Sequence, residues 1–273
     1  MDAVLARTRY AEVQGSPQAQ TAAAQVAALI DEAVPRIAPL VGTSDLTPVP
    51  ARIYLDRATF TRETGIPPNS PIVGLAVFPS GVIHIDGTEL LESTERIVPH
   101  EVAHVLIARS LGPVLGALPT WLNEGIAEYA AGTAASQVDP IALQAIGRGE
   151  SIPLADLDAA FRSGGGSQSL AYAEAASLVN FMVSRRGADV IAKLLAATRA
   201  QPDFAAALQQ VAGWNTEALE SDWRRSVSRR WRWYLLFQSQ ALIFGLMVFL
   251  FILGYLRYRR ERRRRQEMTD ADP

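Results

Sequence analysis

No cysteine occurs in this chain, which excludes disulfide bonds and thiolate metal sites alike. Histidine is almost as scarce: His84, His100 and His104 are all there are. A metal site built here must therefore be completed by a carboxylate. The first forty residues lack any apolar run of the kind that forms the core of a secretory signal. No internal repeat is visible, and a charged fraction of 20% against an apolar fraction of 49% excludes a disordered chain. With 273 residues the chain is long enough for one or two domains with a proper core.

Positive charge is missing from most of the chain. Residues 1–223 carry 14 basic and 24 acidic side chains, although the net charge of the whole is only −2. The balance is restored by five arginines in 224–232 and seven in 257–273. These two clusters flank Trp233–Leu256, where only Gln238, Ser239 and Gln240 are strongly polar. Twenty-four helical residues cover ~36 Å, enough for a hydrocarbon core of ~30 Å. Trp231, Trp233 and Tyr234 at one end, and Tyr255 and Tyr258 at the other, stand where interfacial aromatics stand. The pattern predicts a transmembrane helix whose basic flanks meet lipid headgroups, with no nucleic-acid partner. The denser tail cluster, Arg257 to Arg265, is expected to stay in the cytoplasm, which puts the preceding domain outside. That orientation needs an export signal, so an amino terminus continuing upstream is its corollary; a cytosolic domain is the alternative.

Upstream, residues 1–20 read as a frayed polar start. Val26, Ile30, Ala33 and Ile37 recur at helical spacing, with an interruption at Pro35. Arg52–Leu55 reads as a short strand. Gly74–Phe78 and Gly81–Asp86 read as a hairpin about Pro79-Ser80, able to hold an extended chain by backbone pairing. His84 on that hairpin reads as a solvent or turn-side histidine. Ser93 or Thr94 offers a cap for the next helix, and Pro99 predicts a fresh helix start there. Residues 133–168 read mostly as connection, including the glycine-rich run at 163–167. Helical segments follow at about 169–186, 188–199, 203–212 and 215–232, punctuated by Gly187 and Gly213.

The chemistry concentrates in His100-Glu101-Val102-Ala103-His104 and, twenty residues on, Trp121-Leu122-Asn123-Glu124-Gly125-Ile126-Ala127-Glu128-Tyr129. Histidines at i and i+4 share one helix face and can reach a single Zn²⁺, with Glu101 beside the water on that metal. Glu124 is the expected third ligand, leaving a fourth position open as a catalytic site requires. Glu101 is the candidate general base and acid. Glu128, one turn beyond Glu124, is placed to accept a hydrogen bond from a ligand histidine. No histidine follows the motif, so the donor to a developing oxyanion must be another group. Tyr172, near the start of a helix after the glycine run, is the candidate.

At these residues the chain resembles the gluzincin peptidases of the MA clan, especially bacterial peptidase MA-like domains, and its second motif is similar to that of aminopeptidase N and leukotriene A4 hydrolase. The resemblance implies one zinc ion per chain on His100, His104 and Glu124, Glu101 as base, and peptide or protein substrates. Glu128 matches an acid of thermolysin-like enzymes, and Tyr172 corresponds more loosely to the aminopeptidases' catalytic tyrosine. The glycine-x-Met-Glu-Asn segment that grips a free amino terminus is absent, as is thermolysin's late histidine, so endopeptidase action is expected over aminopeptidase action. The fold implied is α+β and zincin-like: a small sheet and active-site helix, then a mainly helical half. The expected organisation is a helical segment over 1–49, a peptidase domain over 50–225, juxtamembrane and transmembrane helix over 226–256, and a basic tail over 257–273. The competing reading is a catalytically inactive, membrane-tethered binding module, against which an intact Glu101 counts.

Overall fold

The computed structural model describes residues 3–89, 94–132, 138–238 and 240–269. Ser93, the 133–137 part of the expected connection, Ser239 within the expected membrane segment, and the last four residues of the basic tail lie outside them. The chain divides into two compact units, Met1–Arg224 and Arg225–Pro273.

The first unit begins with strands where the sequence suggested a frayed start: β1 (Ala3–Arg7) and β2 (Ala11–Gly15). Helix α1 (Gln20–Val41) connects β2 to β3 (Val49–Tyr54), which is followed by α2 (Arg57–Thr64), β4 (Gly74–Val77) and β5 (Val82–Asp86). The sheet order is β1-β2-β3-β5-β4; β2, β3 and β5 run parallel, and the two edge strands are antiparallel to their neighbours. Alternation explains why the amino-terminal strand was hard to see. Ala11, Val13 and Gly15 are buried and Glu12 and Gln14 are not, a pattern of small residues with little apolar signal. The buried face continues through Ala51, Ile53, Ile83 and Ile85.

Helix α1 packs on this sheet and on α3 (Thr94–Leu111). It runs through Pro35 and Pro39 rather than stopping. Each proline removes an intrahelical bond, but Ile37, Ala38 and Val41 beyond Pro35 are buried. Full burial of one such branched side chain contributes about 1.5–3 kcal/mol, enough to offset most of that loss. The helix stops at Gly42, whose φ of 67° lets its N–H turn back to the Ala38 and Pro39 carbonyls. Helix α3 likewise carries Pro99 inside it, so the fresh start expected at that residue does not occur. Buried Val98 and Val102 on either side hold the helix continuous.

The remainder of the first unit is helical: α4 (Thr120–Ala130), α5 (Val138–Arg148), α6 (Leu154–Ala160), α7 (Gly165–Arg186), α8 (Val190–Ala200), α9 (Phe204–Ala212) and α10 (Thr216–Gln238), which runs on into the second unit. Helix α4 packs between α3 and α7, while β4 lies against α3.

Three expectations need correction. The α+β class does not describe the molecule, which among the described residues is mostly helical with a small mixed sheet. The stretch read as connection after residue 132 contains α5, α6 and the first turn of α7, where Val138, Ile141, Ala142 and Ala145 recur at helical spacing that the reading passed over. The transmembrane helix is the third. Among the described residues no helix is long and apolar enough to cross a membrane. On this side of the chain helix α11 is described over Gln240–Thr269. A single-pass membrane protein with an extracytoplasmic domain is therefore not supported.

Candidate metal centre

Helix α3 and helix α4 bring the two sequence motifs face to face. His100 and His104, one turn apart on α3, have their rings edge to face with centroids 4.8 Å apart and their Nε2 atoms 3.1 Å apart. Glu124 reaches in from α4 and places Oε2 3.5 Å from both Nε2 atoms. One donor atom from each of the three lies within 4.8 Å of the others, a grouping that could hold a metal ion.

The opposite edges of the imidazoles are held too. His100 Nδ1 lies 3.3 Å from Glu128 Oε1, and His104 Nδ1 lies 3.2 Å from Asn123 Oδ1. A carboxylate or an amide oxygen can only accept, so both Nδ1 atoms carry a proton and donate, and Nε2 is the nitrogen that would give up any proton to bind an ion. Asn123 was not singled out in the sequence, although its place beside Glu124 in the second motif was the available clue.

The electrostatics favour a cation between the imidazoles. Burial works against a charged His100, but hydrogen bonds to Glu124 and Glu128 and the nearby Glu101 charge overcome it, holding the imidazole up to about 10. Burial would raise Glu124, yet its contacts with His100 and His104 keep its carboxyl well below the usual range. Two imidazoles and one ionised carboxylate are the donors a zinc ion takes, with N and O ligands and room for a fourth.

Glu101 is buried beside the cluster, and its Oε2 accepts a hydrogen bond of 2.8 Å from the Ala76 backbone N–H on edge strand β4. That N–H points away from β5, so β4 spends on Glu101 a donor its own ladder does not use. Gly74, two residues earlier, explains how close the strand comes. A Cβ there would meet Ile97 Cγ2 at 2.3 Å and the Glu101 side chain at 3.2–3.3 Å. Backbone contacts of this kind leave no side-chain signature in a sequence.

Tyr172, half-buried on α7, lies with its ring centroid 6.4 Å from that of His100 and 4.9 Å from that of Phe161. Burial, together with the Glu124, Glu128 and Glu101 charges, pushes its phenol upward, so the hydroxyl keeps its proton. Helices α4 and α7 approach closely because Gly125 has no side chain: a Cβ there would sit 2.6 Å from the Ala175 carbonyl oxygen. His84 lies elsewhere, its Nδ1 2.7 Å from the Tyr54 hydroxyl and its ring stacked on Tyr54.

The site is thus a partly buried two-histidine, one-glutamate cluster with a buried second glutamate beside it and a phenol near it. Such a grouping could hold a metal ion. The chain belongs to the peptidase MA superfamily, whose family model matches residues 29–229. No curated protein matches it.

Proposed function

We propose that the protein is a zinc-dependent peptidase that cleaves peptide bonds within a chain. The observation that carries this reading is the convergence of His100, His104 and Glu124 with Glu101 buried alongside them. His100, His104 and Glu124 would hold one zinc ion, which when bound polarises the scissile carbonyl and makes water more acidic. Glu101 takes one proton from the attacking water as oxygen bonds to the carbonyl carbon, and gives it to the amine as the C–N bond breaks. The Ala76 N–H holds that carboxylate at the cleft wall. Tyr172 donates its phenolic proton in a hydrogen bond to the developing oxyanion. Strand β4, at the sheet edge beside Glu101, supports an extended substrate through its outward backbone groups. Glu128 and Asn123 hold the imidazoles in one tautomer.

Metal analysis of the purified protein and a peptide-library digest, each with wild type and Glu101→Gln, test the proposal. The wild type is expected to carry about one zinc per chain, and Glu101→Gln to keep it while losing ~10²-fold or more in turnover. Equal turnover in the two proteins removes the mechanism. A zinc-loaded wild type that cleaves nothing in a broad library favours a binding module instead.

A further inference from the structure

The helix that delivers Glu124 does not cap itself. Pro119 precedes α4 and supplies no side-chain hydrogen bond to its first turn. The orphaned donors are taken by a residue nearly forty positions away: Thr120 N donates to Asp158 Oδ2 at 3.1 Å and Trp121 N to Asp158 Oδ1 at 2.8 Å. At the other end of α4 the Ala130 carbonyl accepts from Arg36 Nη1 at 2.5 Å. Both ends are therefore pinned by tertiary partners.

Asp158 is itself firmly placed. Helix α6 follows a segment whose Ile152 is held on both sides of its backbone: the N–H donates to buried Glu174 at 3.1 Å, and the carbonyl accepts from Arg224 Nη2 at 2.9 Å. Arg224 also donates to Ser151 Oγ. Just past α6, Phe161 packs edge-on against Tyr172, and its carbonyl accepts from Gln168 Nε2 at 3.1 Å. One short stretch, residues 151–161, thus touches both the first turn of α4 and Tyr172.

Resting on the functional reading above, we propose that Asp158 is a positioning residue for the metal centre, fixing the first turn of α4 so that Glu124 meets His100 and His104. Glu124 is one turn beyond the two capped amides, so a frayed first turn displaces the carboxylate while the imidazoles on α3 stay in place. A negative charge at a helix N-terminus also complements the helix dipole. Asp158 touches neither the metal position nor substrate; it acts through α4.

The test compares the full-length wild type with Asp158→Ala and Asp158→Asn in two measurements. One is zinc affinity at a temperature where all are folded, by competition with a chromophoric chelator. The other is the melting temperature of the metal-free proteins. Asp158→Ala is expected to bind zinc about 10-fold or more weakly, the scale seen when groups supporting metal ligands are lost. Asp158→Asn keeps one amide oxygen for Trp121 N and should lose less. A merely structural Asp158 would lower the metal-free melting temperature and leave zinc affinity unchanged, and unchanged affinity in a folded variant overturns the inference. If only Asp158→Asn folds, its affinity decides. A wild type that binds no zinc overturns the functional reading, and this inference with it.

Discussion

At the scale of single residues, environment assigns the work. Tyr172 keeps its proton because it is half-buried among carboxylates, which suits a hydrogen-bond donor and not a base. Tyr172→Phe is expected to lower kcat by ~10²-fold or more with KM little changed, as for a lost oxyanion donor. Steady-state kinetics on a library-derived peptide check this; a change in melting temperature alone would make Tyr172 a packing residue. Glu174, fully buried on α7, is pushed up from 4.5 to about 7 by burial, against the opposing Ile152 N–H and Arg224. A carboxyl raised on folding still holds its proton where the unfolded chain has released it. Its contribution to stability therefore falls as pH rises from 4.5 to about 7. Glu174→Gln stays neutral throughout and keeps an acceptor for Ile152. The stability difference, wild type minus variant, should decline across that window by up to about 1.4 kcal/mol per pH unit. Urea melts at several pH values measure it, and a flat difference would count against a raised Glu174.

At the scale of elements, the decisive contact is α4 against α7. Alanine suits a helix better than glycine by about 1 kcal/mol, so Gly125→Ala would stabilise α4 if nothing stood nearby. The Ala175 carbonyl oxygen at 2.6 Å from the added Cβ reverses that sign. It is backbone and cannot swing aside, and overpacking of this kind costs about 1–3 kcal/mol. We expect Gly125→Ala to be destabilised in denaturant titrations; a more stable variant would mean the helices part freely. The close approach also brings Tyr172 on α7 near His100 on α3.

For the whole molecule, the metal would join elements that the chain itself leaves separate. His100 and His104 stand on α3 and Glu124 on α4, so an ion held by all three binds only the folded state. Free zinc at 100 times its dissociation constant should stabilise the fold by about 2.7 kcal/mol, and chelation should remove that increment. Calorimetry with zinc and with a chelator checks it. The same melting temperature in both, with Glu124→Ala melting like the wild type, would sink the assignment of these three side chains. The opposite outcome says nothing of catalysis, which Glu101→Gln tests separately.

That His100 and His104 share one face and that Glu124 joins them was legible, because the first two lie one helical turn apart and the third opens the companion motif. The β4–β5 hairpin and α7 to α9 were legible for the same reason, through period and glycine punctuation. Local pattern failed where burial outweighed it. Pro35 and Pro99 sit inside helices because the residues around them are packed, and β2 is a strand although its inward residues are small. It failed again at the far end, where an apolar, arginine-flanked run suggested a membrane span that no described helix supplies. The remaining parts of the site could not be read from any pattern. Ala76 contributes a backbone N–H, Gly74 and Gly125 contribute the lack of a side chain, and Asp158 caps a helix 38 residues before it. Spacing along a helix determines which side chains can share an ion; only packing between helices and the sheet edge decides what holds them there.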